Sequence, residues 1–438
     1  MPLLLVIAGV ILLLILIVVF KLHAFLAFIL VALFLGISQG LSVDTTIDSI
    51  KNGMGSTLGS LVMILGFGAM LGKMVADSGA AQKITSSLVR AFGIKRIQWA
   101  MVITGFIVGI PMFYSVGFVI LIPLVFTVAV TTRLPILYVG LPMLASLSVT
   151  HGYLPPHPAP TAISEILGAD IGKTMLYGIV VAIPAIILGG VLFSRTLKKY
   201  NPKPLEEFYK AEPMPEEQLP SIFISLVSAL MPLILIGTSA LLVLLFGADH
   251  QIVKSVGFIG NPAMAMLISV FFAIYTLGLR KGKSMKELMN DLSHAVSSIT
   301  MILLIIAGAG AFKQVLIDTG TSDYIGGLLS NSGISPLVLA WLIATLIRVC
   351  VGSATVAGLT AAGIVLPLVS NSTIQPELLV LAIGSGSLML SHVNDSGFWM
   401  FKEYFNMSMK DTFKTCTVME TIVGISGLIG VLILNQFI

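Results

Sequence analysis

The sequence has few charged residues and lacks the motifs of an ATP-driven pump or a metalloprotease. Charged side chains make up 10% of the 438 residues and hydrophobic ones 57%, whereas an average soluble domain has about 25% charged residues. This composition excludes a soluble fold. The segment from Gly168 to Thr174 is one residue short of the P-loop spacing, so an ATP-driven pump is unsupported. No H-E-x-x-H pair occurs among the six histidines, so a metalloprotease is not expected either.

Cysteine and positive charge are also scarce. Cys350 and Cys416 form no spaced motif and lie in or beside apolar segments, which indicates packing residues rather than a disulfide or a metal site. The net charge of +4 is small, and no basic patch is interleaved with aromatic residues, so nucleic-acid binding is not expected. The first apolar run, Pro2 to Phe20, lacks a positive n-region and a cleavage pattern, which predicts a retained helix. No cofactor and no metal are predicted.

Long apolar runs dominate the sequence. Full membrane spans are predicted near residues 2–20, 23–41, 58–76, 175–193, 222–246, 256–278, 295–317 and 416–438. Segments 134–154 and 376–393 are interrupted spans, whereas 99–131 and 335–371 are each too long for one span and carry Gly, Pro or small polar residues at their centres. We therefore predict an all-α polytopic membrane protein of about 12–14 apolar segments, with about ten full spans and two re-entrant hairpins. Pairs of full spans are the alternative to the hairpins.

Parts of the sequence occur twice at one spacing. The triplet Asp77–Gly79 recurs 241 residues later as Asp318–Gly320. The same spacing separates two further pairs of residues, Pro135 with Pro376 and His151 with His392. Between the copies, residues 198–220 are rich in proline and charge and have no apolar period, as in a solvated linker. Two membrane repeats, 1–197 and 221–438, joined by the linker 198–220, are predicted.

The charges around the two copies predict that one is inverted relative to the other. Lys83, Arg90, Lys95 and Arg96 follow the first triplet, whereas residues 318–334 contain no lysine or arginine. Under the positive-inside rule, loops 77–98 and 279–294 and the linker 198–220 are cytoplasmic, and both termini are periplasmic. An inverted repeat is a frequent plan of secondary transporters, with the substrate bound where the copies meet.

Four motifs interrupt the apolar segments, in the same order in each copy. They are Gly109–Ser115, Ser148–Thr161, Gly352–Gly358 and Ser391–Gly397. Non-helical backbone is tolerated inside a bilayer only where it is buried in protein or lines an aqueous cavity. A surface loop is the alternative for 148–161, and close helix packing is the alternative for 352–358. The four motifs therefore predict the position of a binding site.

Polar side chains in and beside these motifs are the candidates for contact with a substrate. Amino ends of half-helices at the hairpin tips would present free N–H groups, which suits an anion. The substrate-binding candidates are Tyr114, Ser115, His151, His157, Arg348, Ser353, Thr355, Ser391 and Asn394. Arg348 could pair a substrate carboxylate, neutralise Asp395 or reach a membrane interface.

The same motifs supply groups that could carry a proton. Asp395, His392 and His151 are the proton-linked candidates, because each could titrate and a carboxylate in an apolar segment is expensive unless it is functional or paired. A helix-end carboxylate in water is the alternative for Asp395. Elsewhere, Lys73 and Lys313 lie four and five residues before Asp77 and Asp318, and helical spacing predicts an ion pair in each copy.

At these motifs the chain closely resembles the gluconate permease family of bacterial proton symporters, within the ion transporter superfamily. The resemblance runs nearly end to end and is carried by Leu65–Ile84, Leu137–Ile163, Gly310–Gly320, Val351–Leu368 and Ser391–Asn406. It implies a multi-pass protein of the bacterial inner membrane that takes up gluconate or a similar sugar acid with a proton. It also implies inverted repeats with paired re-entrant hairpins. The partners expected are a small organic anion, a proton and the lipid bilayer, with a homodimer as an open alternative to the monomer.

One position departs from the family pattern. The first hairpin motif of the family usually reads aromatic-aromatic-Glu-Val-Gly, whereas Phe113–Gly117 has Ser115 at the acidic position. If that carboxylate normally carries the proton, this chain uses another group, such as Asp395 or His151, couples a different cation or prefers a different anion. Another aldonate, a uronate, a keto-sugar acid or a hydroxy-amino acid would then be the substrate. A passive anion channel and a membrane sensor are the alternatives outside secondary transport.

Overall fold

The fold is built from helices that are mostly long and apolar. The computed structural model describes residues 2–200, 202, 214–247, 249–320, 334–371 and 374–438, and all regular structure in these ranges is helical. Six of the described helices, or eight if each bent pair is one span, are long and apolar enough to cross a membrane. The all-α prediction is confirmed in this form. Most of the other predicted spans correspond to apolar helices of 10–17 residues.

The helices of the first half run from the amino terminus to the linker. They are α1 (Pro2–Leu14, extended as a π-helix over Ile15–Val19), α2 (Ala24–Ser38), α3 (Val43–Asp77), α4 (Ala80–Phe92), α5 (Ile97–Gly109), α6 (Tyr114–Thr132), α7 (Ile136–Tyr153), α8 (Pro158–Leu167) and α9 (Ile171–Thr196).

The helices of the second half follow the linker, of which positions 201 and 203–213 lie outside the described residues. They are α10 (Ile222–Phe246), α11 (Gln251–Gly260), α12 (Pro262–Lys281), α13 (Met285–Asp318), α14 (Pro336–Val351), α15 (Ala354–Asn371), α16 (Pro376–Gly386), α17 (Ser396–Tyr404) and α18 (Met409–Leu434). The segment 318–334, which contains no lysine or arginine, lies largely outside the described residues.

Short polar residues fix where several helices begin. The side chains of Ser42, Asp170, Ser221, Asn261 and Ser284 each accept a hydrogen bond from a backbone N–H in the first turn of the helix that follows. Ser284 and Glu287 form a reciprocal capping box at the start of α13. Such caps satisfy N–H groups that have no partner within the helix.

The two longest helices, α3 and α13, pack closely against each other at two glycines. A Cβ atom added to Gly53 would overlap the backbone carbonyl of Gly310, and one added to Gly310 would overlap that of Gly53. Small residues of this kind let the backbones of membrane helices approach closely. The pair therefore forms one of the contacts between the first and second halves.

The ion pairs predicted at the ends of these helices differ between the copies. Lys73 Nζ lies 3.0 Å from Asp77 Oδ2, which confirms the first pair. The second prediction is wrong, because Asp318 instead accepts a hydrogen bond of 2.9 Å from Gln314 Nε2. Residues four apart share a helix face, whereas Lys313 is five residues from Asp318 and points elsewhere.

Two short connections and two breaks separate helices at the four motifs that were predicted to be irregular. Residues 110–113 join α5 to α6, and residues 352–353 join α14 to α15. The breaks run over 154–157, between α7 and α8, and over 387–395, between α16 and α17. The first break is narrower than predicted, because Pro158 and Pro160 lie in the first turn of α8, where a missing backbone N–H costs no helical hydrogen bond.

Candidate functional site

The hairpin tips, which are the connections 110–113 and 352–353, meet with the second break and with residues beside the first break around one cavity of about 380 Å³. This volume is at the lower end of the range of about 300–1,000 Å³ typical of small-molecule sites. Nine of the predicted site residues line it: Tyr114, Ser115, His151, Arg348, Ser353, Thr355, Ser391, Asn394 and Asp395. His157 and His392 are not among its lining residues. The structure therefore brings together side chains that are far apart in the sequence.

Arg348 is the positively charged residue of the cavity lining. Its side chain is only 4% exposed, and its Nη2 bonds the Oδ2 of Asp395. Its Nε and Nη1 are buried and have no hydrogen-bond partner in the described part of the chain. A guanidinium offers five N–H donors, so Arg348 retains N–H groups from which an anion could accept hydrogen bonds. Of the three predicted roles, pairing with Asp395 is the one that the structure contains.

Both carboxylate oxygens of Asp395 are hydrogen-bonded to groups of the protein. Besides the bond to Arg348, Oδ2 accepts a hydrogen bond from the Ser391 hydroxyl, and Oδ1 accepts one of 2.9 Å from the Gly397 N–H. The last bond caps the start of α17. The carboxylate therefore has an opposite charge and two further hydrogen-bond donors around it.

The second break also supports the second hairpin tip. Asn394 Nδ2 donates to the carbonyls of Val349 at 2.8 Å and Cys350 at 3.2 Å, and His392 Nε2 lies 3.0 Å from the same Val349 oxygen. Because a carbonyl only accepts, His392 donates here. These bonds satisfy carbonyls at the end of α14 that have no helical partner. Gly352, at φ +79°, follows this end, and a Cβ there would overlap the Asn394 backbone.

The first break holds the first tip in a similar way. His157 directly precedes α8, is buried, and its Nε2 lies 2.7 Å from the carbonyl oxygen of Gly109 at the end of α5. His157 and His392 therefore both bind a carbonyl at the end of the first hairpin helix in their half. This explains why neither ring lines the cavity.

Aromatic and hydroxyl groups form the first-half side of the cavity. Tyr114 and Ser115 are the first two residues of α6, which has no side-chain cap. The ring centroid of Tyr114 lies 6.1 Å from that of His151, whose buried Nδ1 has no hydrogen-bond partner in the described residues. In the second half, Ser353 accepts a hydrogen bond of 3.3 Å from the N–H of Val356 and so caps α15. Amino ends of α6 and α15 thus both reach the cavity.

One functional candidate, Glu420, was missed by the sequence prediction. Glu420 of α18 is 6% exposed, lines the cavity, and accepts hydrogen bonds of 2.6 and 2.8 Å from the Ser148 hydroxyl of α7. A signal for it was present, since an acid inside the apolar run 416–438 is expensive and by default functional. No three His, Cys, Asp or Glu side chains of the described chain come together as a metal site would require.

The chain matches the model of the GntP family permeases over residues 1–438. It is 50% identical to a high-affinity gluconate transporter of Escherichia coli strain K12, over 100% of both chains. It is 48% identical to a Gnt-II system L-idonate transporter of the same strain, over 99% of both chains. A gluconate permease of Bacillus licheniformis is 46% identical over 100% of both chains.

Two solved transporter structures share the fold at low sequence identity. The YdaH transporter of Alcanivorax borkumensis superimposes with a TM-score of 0.66 at 18% identity, covering 94% of this chain and 97% of its own. MtrF of Neisseria gonorrhoeae superimposes with a TM-score of 0.68 at 14% identity, covering 94% of each chain. These two structures show the fold alone, whereas the full-length family match and the identities of 46–50% show the family. The chain is a permease rather than an enzyme, and it belongs to the GntP permease family.

Proposed function

We propose that this protein imports gluconate or a closely related sugar-acid anion across the bacterial inner membrane together with a proton. The observation that carries the proposal is Arg348, a buried guanidinium with two unpartnered donor atoms beside a cavity that hydroxyl groups also line. A sugar acid has one carboxylate and several hydroxyls, so it matches both features. Relatives of nearly equal identity are named for gluconate and for L-idonate, which favours this class of substrate over a single member of it.

The substrate contacts follow from which polar groups are already engaged. Arg348 would bind the carboxylate through Nε and Nη1, while Tyr114, Ser115, Ser353 and Thr355 would contact the hydroxyls. His151 has an unpartnered nitrogen and would be a further contact. Ser391, Asn394 and His157 have protein partners within hydrogen-bond distance, so they would act chiefly by positioning the tips and breaks.

The proton-linked candidates differ in their surroundings. His151 lines the cavity, Asp395 is bonded to Arg348, and His392 bonds the end of α14 outside the cavity lining. Of these three, His151 is thus the group free to exchange a proton with the cavity. The absence of an acid at position 115 requires that one of these groups, or another, replaces it if transport is coupled to protons.

A repeat is supported by the order of the helices, and its inversion by the charges around the two copies. In each half a long helix (α3 or α13) precedes a helical hairpin, a broken helix and a final apolar helix. The hairpin arms α5 and α14 have 13 and 16 residues, so at ~1.5 Å per residue they are shorter than the ~30 Å hydrocarbon layer. Re-entrant hairpins fit these lengths. The membrane repeats would be 1–197 and 221–438.

The predicted cytoplasmic side is supported by contacts of the linker end. Glu216 Oε1 lies 3.2 Å from Lys83 Nζ and 3.2 Å from Arg90 Nη2, and both of these residues lie on α4, within the segment 77–98. Lys281 Nζ donates to the backbone carbonyls of Gln218 at 2.9 Å and Leu219 at 3.0 Å. The three basic regions thus meet at one end of the molecule, as a shared membrane side requires. That end would be cytoplasmic and both termini periplasmic.

Uptake by the purified protein in proteoliposomes tests the proposal. With an inside-alkaline pH gradient, labelled gluconate or idonate should accumulate inside above its outside concentration, and a protonophore should abolish the accumulation. A passive anion channel would only equilibrate the label. Accumulation that a sodium gradient drives and a pH gradient does not would show a different coupling ion. No uptake of either sugar acid would contradict the proposed substrate class.

A further inference from the structure

Glu420 is a buried carboxylate that the proposed binding scheme does not use. It lies on α18, is 6% exposed, and lines the same cavity as Arg348 and His151. It is set in a helix that is apolar and long enough to span the membrane. A carboxylate in such a place marks an ion or proton pathway unless a partner neutralises it.

No positive charge neutralises Glu420 in the described part of the chain. Its hydrogen-bond donor is the Ser148 hydroxyl, at 2.6 and 2.8 Å, and no Lys, Arg or His nitrogen lies within the 4.0 Å of an ion pair. Asp395, by contrast, is bonded to Arg348. Burying an unpaired carboxylate costs far more than burying the neutral acid. The charge of Glu420 therefore depends on what else occupies the cavity.

The titratable and charged groups around Glu420 come from each neighbouring element. They are Tyr114 of α6, His151 and Tyr153 of α7, Arg348 of α14, Asp395 of the second break and Cys416 of α18. The stretch of α9 that packs nearby, Ile187–Leu192, contains no titratable residue. The Tyr153 hydroxyl is engaged, because it donates to the carbonyl of Val423 at 2.6 Å. Arg348 is thus the single fixed positive charge in this set, and Asp395 already balances it.

We infer that Glu420, held by Ser148, is the site that binds the coupled proton. An anion at Arg348 adds a negative charge to a cavity in which Asp395 offsets the arginine. Glu420 then takes a proton from the side from which the anion entered and becomes a neutral carboxylic acid. On the other side of the membrane the proton leaves together with the anion, and Glu420 is then ionised again. This assignment rests on the proposed function, and it replaces Asp395, His392 and His151 as proton carriers.

The charge balance fixes the expected coupling. One proton moves with each monoanion, so transport carries no net charge, and a pH gradient of one unit corresponds to about tenfold accumulation. Glu420→Gln keeps the shape and a hydrogen-bonding partner for Ser148 but cannot ionise. This variant should bind substrate and exchange labelled for unlabelled substrate across the membrane, yet fail to accumulate it under a pH gradient.

The chain offers a matched control at Glu377 of α16. Glu377 is also 6% exposed, but it accepts a hydrogen bond of 3.1 Å from the Asp170 N–H and does not line the cavity. Proteoliposomes of the wild type, Glu420→Gln, Glu420→Asp and Glu377→Gln are compared for pH-driven accumulation, for exchange without a gradient, and for substrate-induced thermal shift. We expect wild-type accumulation in Glu377→Gln, partial accumulation in Glu420→Asp and exchange alone in Glu420→Gln.

The outcomes separate this inference from the proposed function. Failure of the wild type to accumulate gluconate or idonate under a pH gradient overturns the proposed proton-coupled function and the inference with it. Wild-type accumulation that Glu420→Gln retains overturns the inference alone. Loss of substrate-induced thermal shift in a folded Glu420→Gln protein also overturns it, because Glu420 would then be a substrate ligand and not the proton site.

Discussion

The two halves of the chain line the cavity with different chemistry. The first half contributes Tyr114, Ser115, Ser148 and His151 but no Asp, Glu, Lys or Arg, whereas the second contributes Arg348, Asp395 and Glu420. All the formal charges of the lining thus come from the second half, which also supplies the hydroxyls of Ser353, Thr355 and Ser391, whereas the first half supplies only uncharged hydroxyl and ring groups. Under the proposed function, the carboxylate of a sugar acid would therefore lie at Arg348 in the second half, and the hydroxyls nearer the other end would reach Tyr114 and Ser115 in the first.

The supports of the two hairpin tips are more alike than the cavity walls. His157 bonds the carbonyl of Gly109 in the first half, while His392 and Asn394 bond that of Val349 in the second. In both halves, side chains from the break hold the end of the first hairpin helix. The two halves are therefore alike where they position the tips, and they differ where they would contact substrate.

Of the variants that test this difference between the halves, Arg348→Gln should have the largest effect on gluconate binding. Removing the positive charge should weaken gluconate binding by about 2–5 kcal/mol, or roughly 30-fold and more, because a buried charge-assisted contact is lost. Equilibrium binding of labelled gluconate to the purified variant measures this. Arg280→Gln, an exposed arginine at the end of α12, is the control and should bind like the wild type. Unchanged binding in Arg348→Gln would place the carboxylate elsewhere.

For Asp395→Asn the expected effect is on stability, because this variant leaves Arg348 buried without its counter-charge. Breaking a buried pair costs about 3–5 kcal/mol, so the melting temperature without substrate should fall. Gluconate should then raise it by more than in the wild type, since the anion would supply the missing negative charge. Thermal unfolding with and without gluconate checks both statements.

Asp77→Asn is the matched control for that variant. It breaks the Lys73–Asp77 pair, whose side chains are 39% and 33% exposed, and such exposed pairs contribute about 0–1 kcal/mol. Equal destabilisation by the two substitutions would show that the Arg348–Asp395 pair has no special place in the cavity.

The first half should give weaker effects. Tyr114→Phe and Ser115→Ala each remove one hydroxyl, and losing one neutral hydrogen bond costs about 1 kcal/mol, or roughly fivefold in KM for uptake. Tyr275→Phe, at an exposed tyrosine of α12 far from the cavity lining, serves as the control. A loss in either variant as large as that of Arg348→Gln would remove the contrast between the halves.

The smallest effect is expected at the connector between the halves. Hydrogen bonds from Lys83 and then from Arg90 hold the pKa of Glu216 below its usual value. A lowered folded-state pKa means that the contacts stabilise the protein above the unfolded-state pKa and are lost as the pH falls through the folded-state pKa. Thermal unfolding of Glu216→Gln should therefore differ slightly from the wild type at neutral pH and not at acidic pH. A difference that grows on acidification would contradict this.

The sequence was sufficient to find the cavity but not to assign its charges. The four irregular motifs, with Arg348 beside one of them, predicted nine lining residues, because unsatisfied backbone in a bilayer must face a cavity or protein. Arg348 had three open roles, and only the fold brings its side chain to Asp395, 47 positions away. His157 was expected to contact substrate and His392 to carry a proton, yet their rings bond carbonyls of α5 and α14, which depends on tertiary packing.

Two further misses have specific causes. Glu420 lies in none of the irregular motifs, although its place inside an apolar run marks it as a candidate. Lys313 was expected to pair with Asp318 by analogy with Lys73, but the extra residue moves it off the shared helix face. The repeat thus predicts equivalent positions well and equivalent contacts poorly.

The orientation of bound gluconate tests the contrast between the halves most directly. A structure of the wild-type protein with gluconate gives it from the position of the carboxylate carbon in the cavity. We predict that the carboxylate lies against Arg348 Nε and Nη1, with the hydroxyl chain directed toward Tyr114 and Ser115. A carboxylate bound at the first-half wall, with only hydroxyl groups near Arg348, would contradict the account.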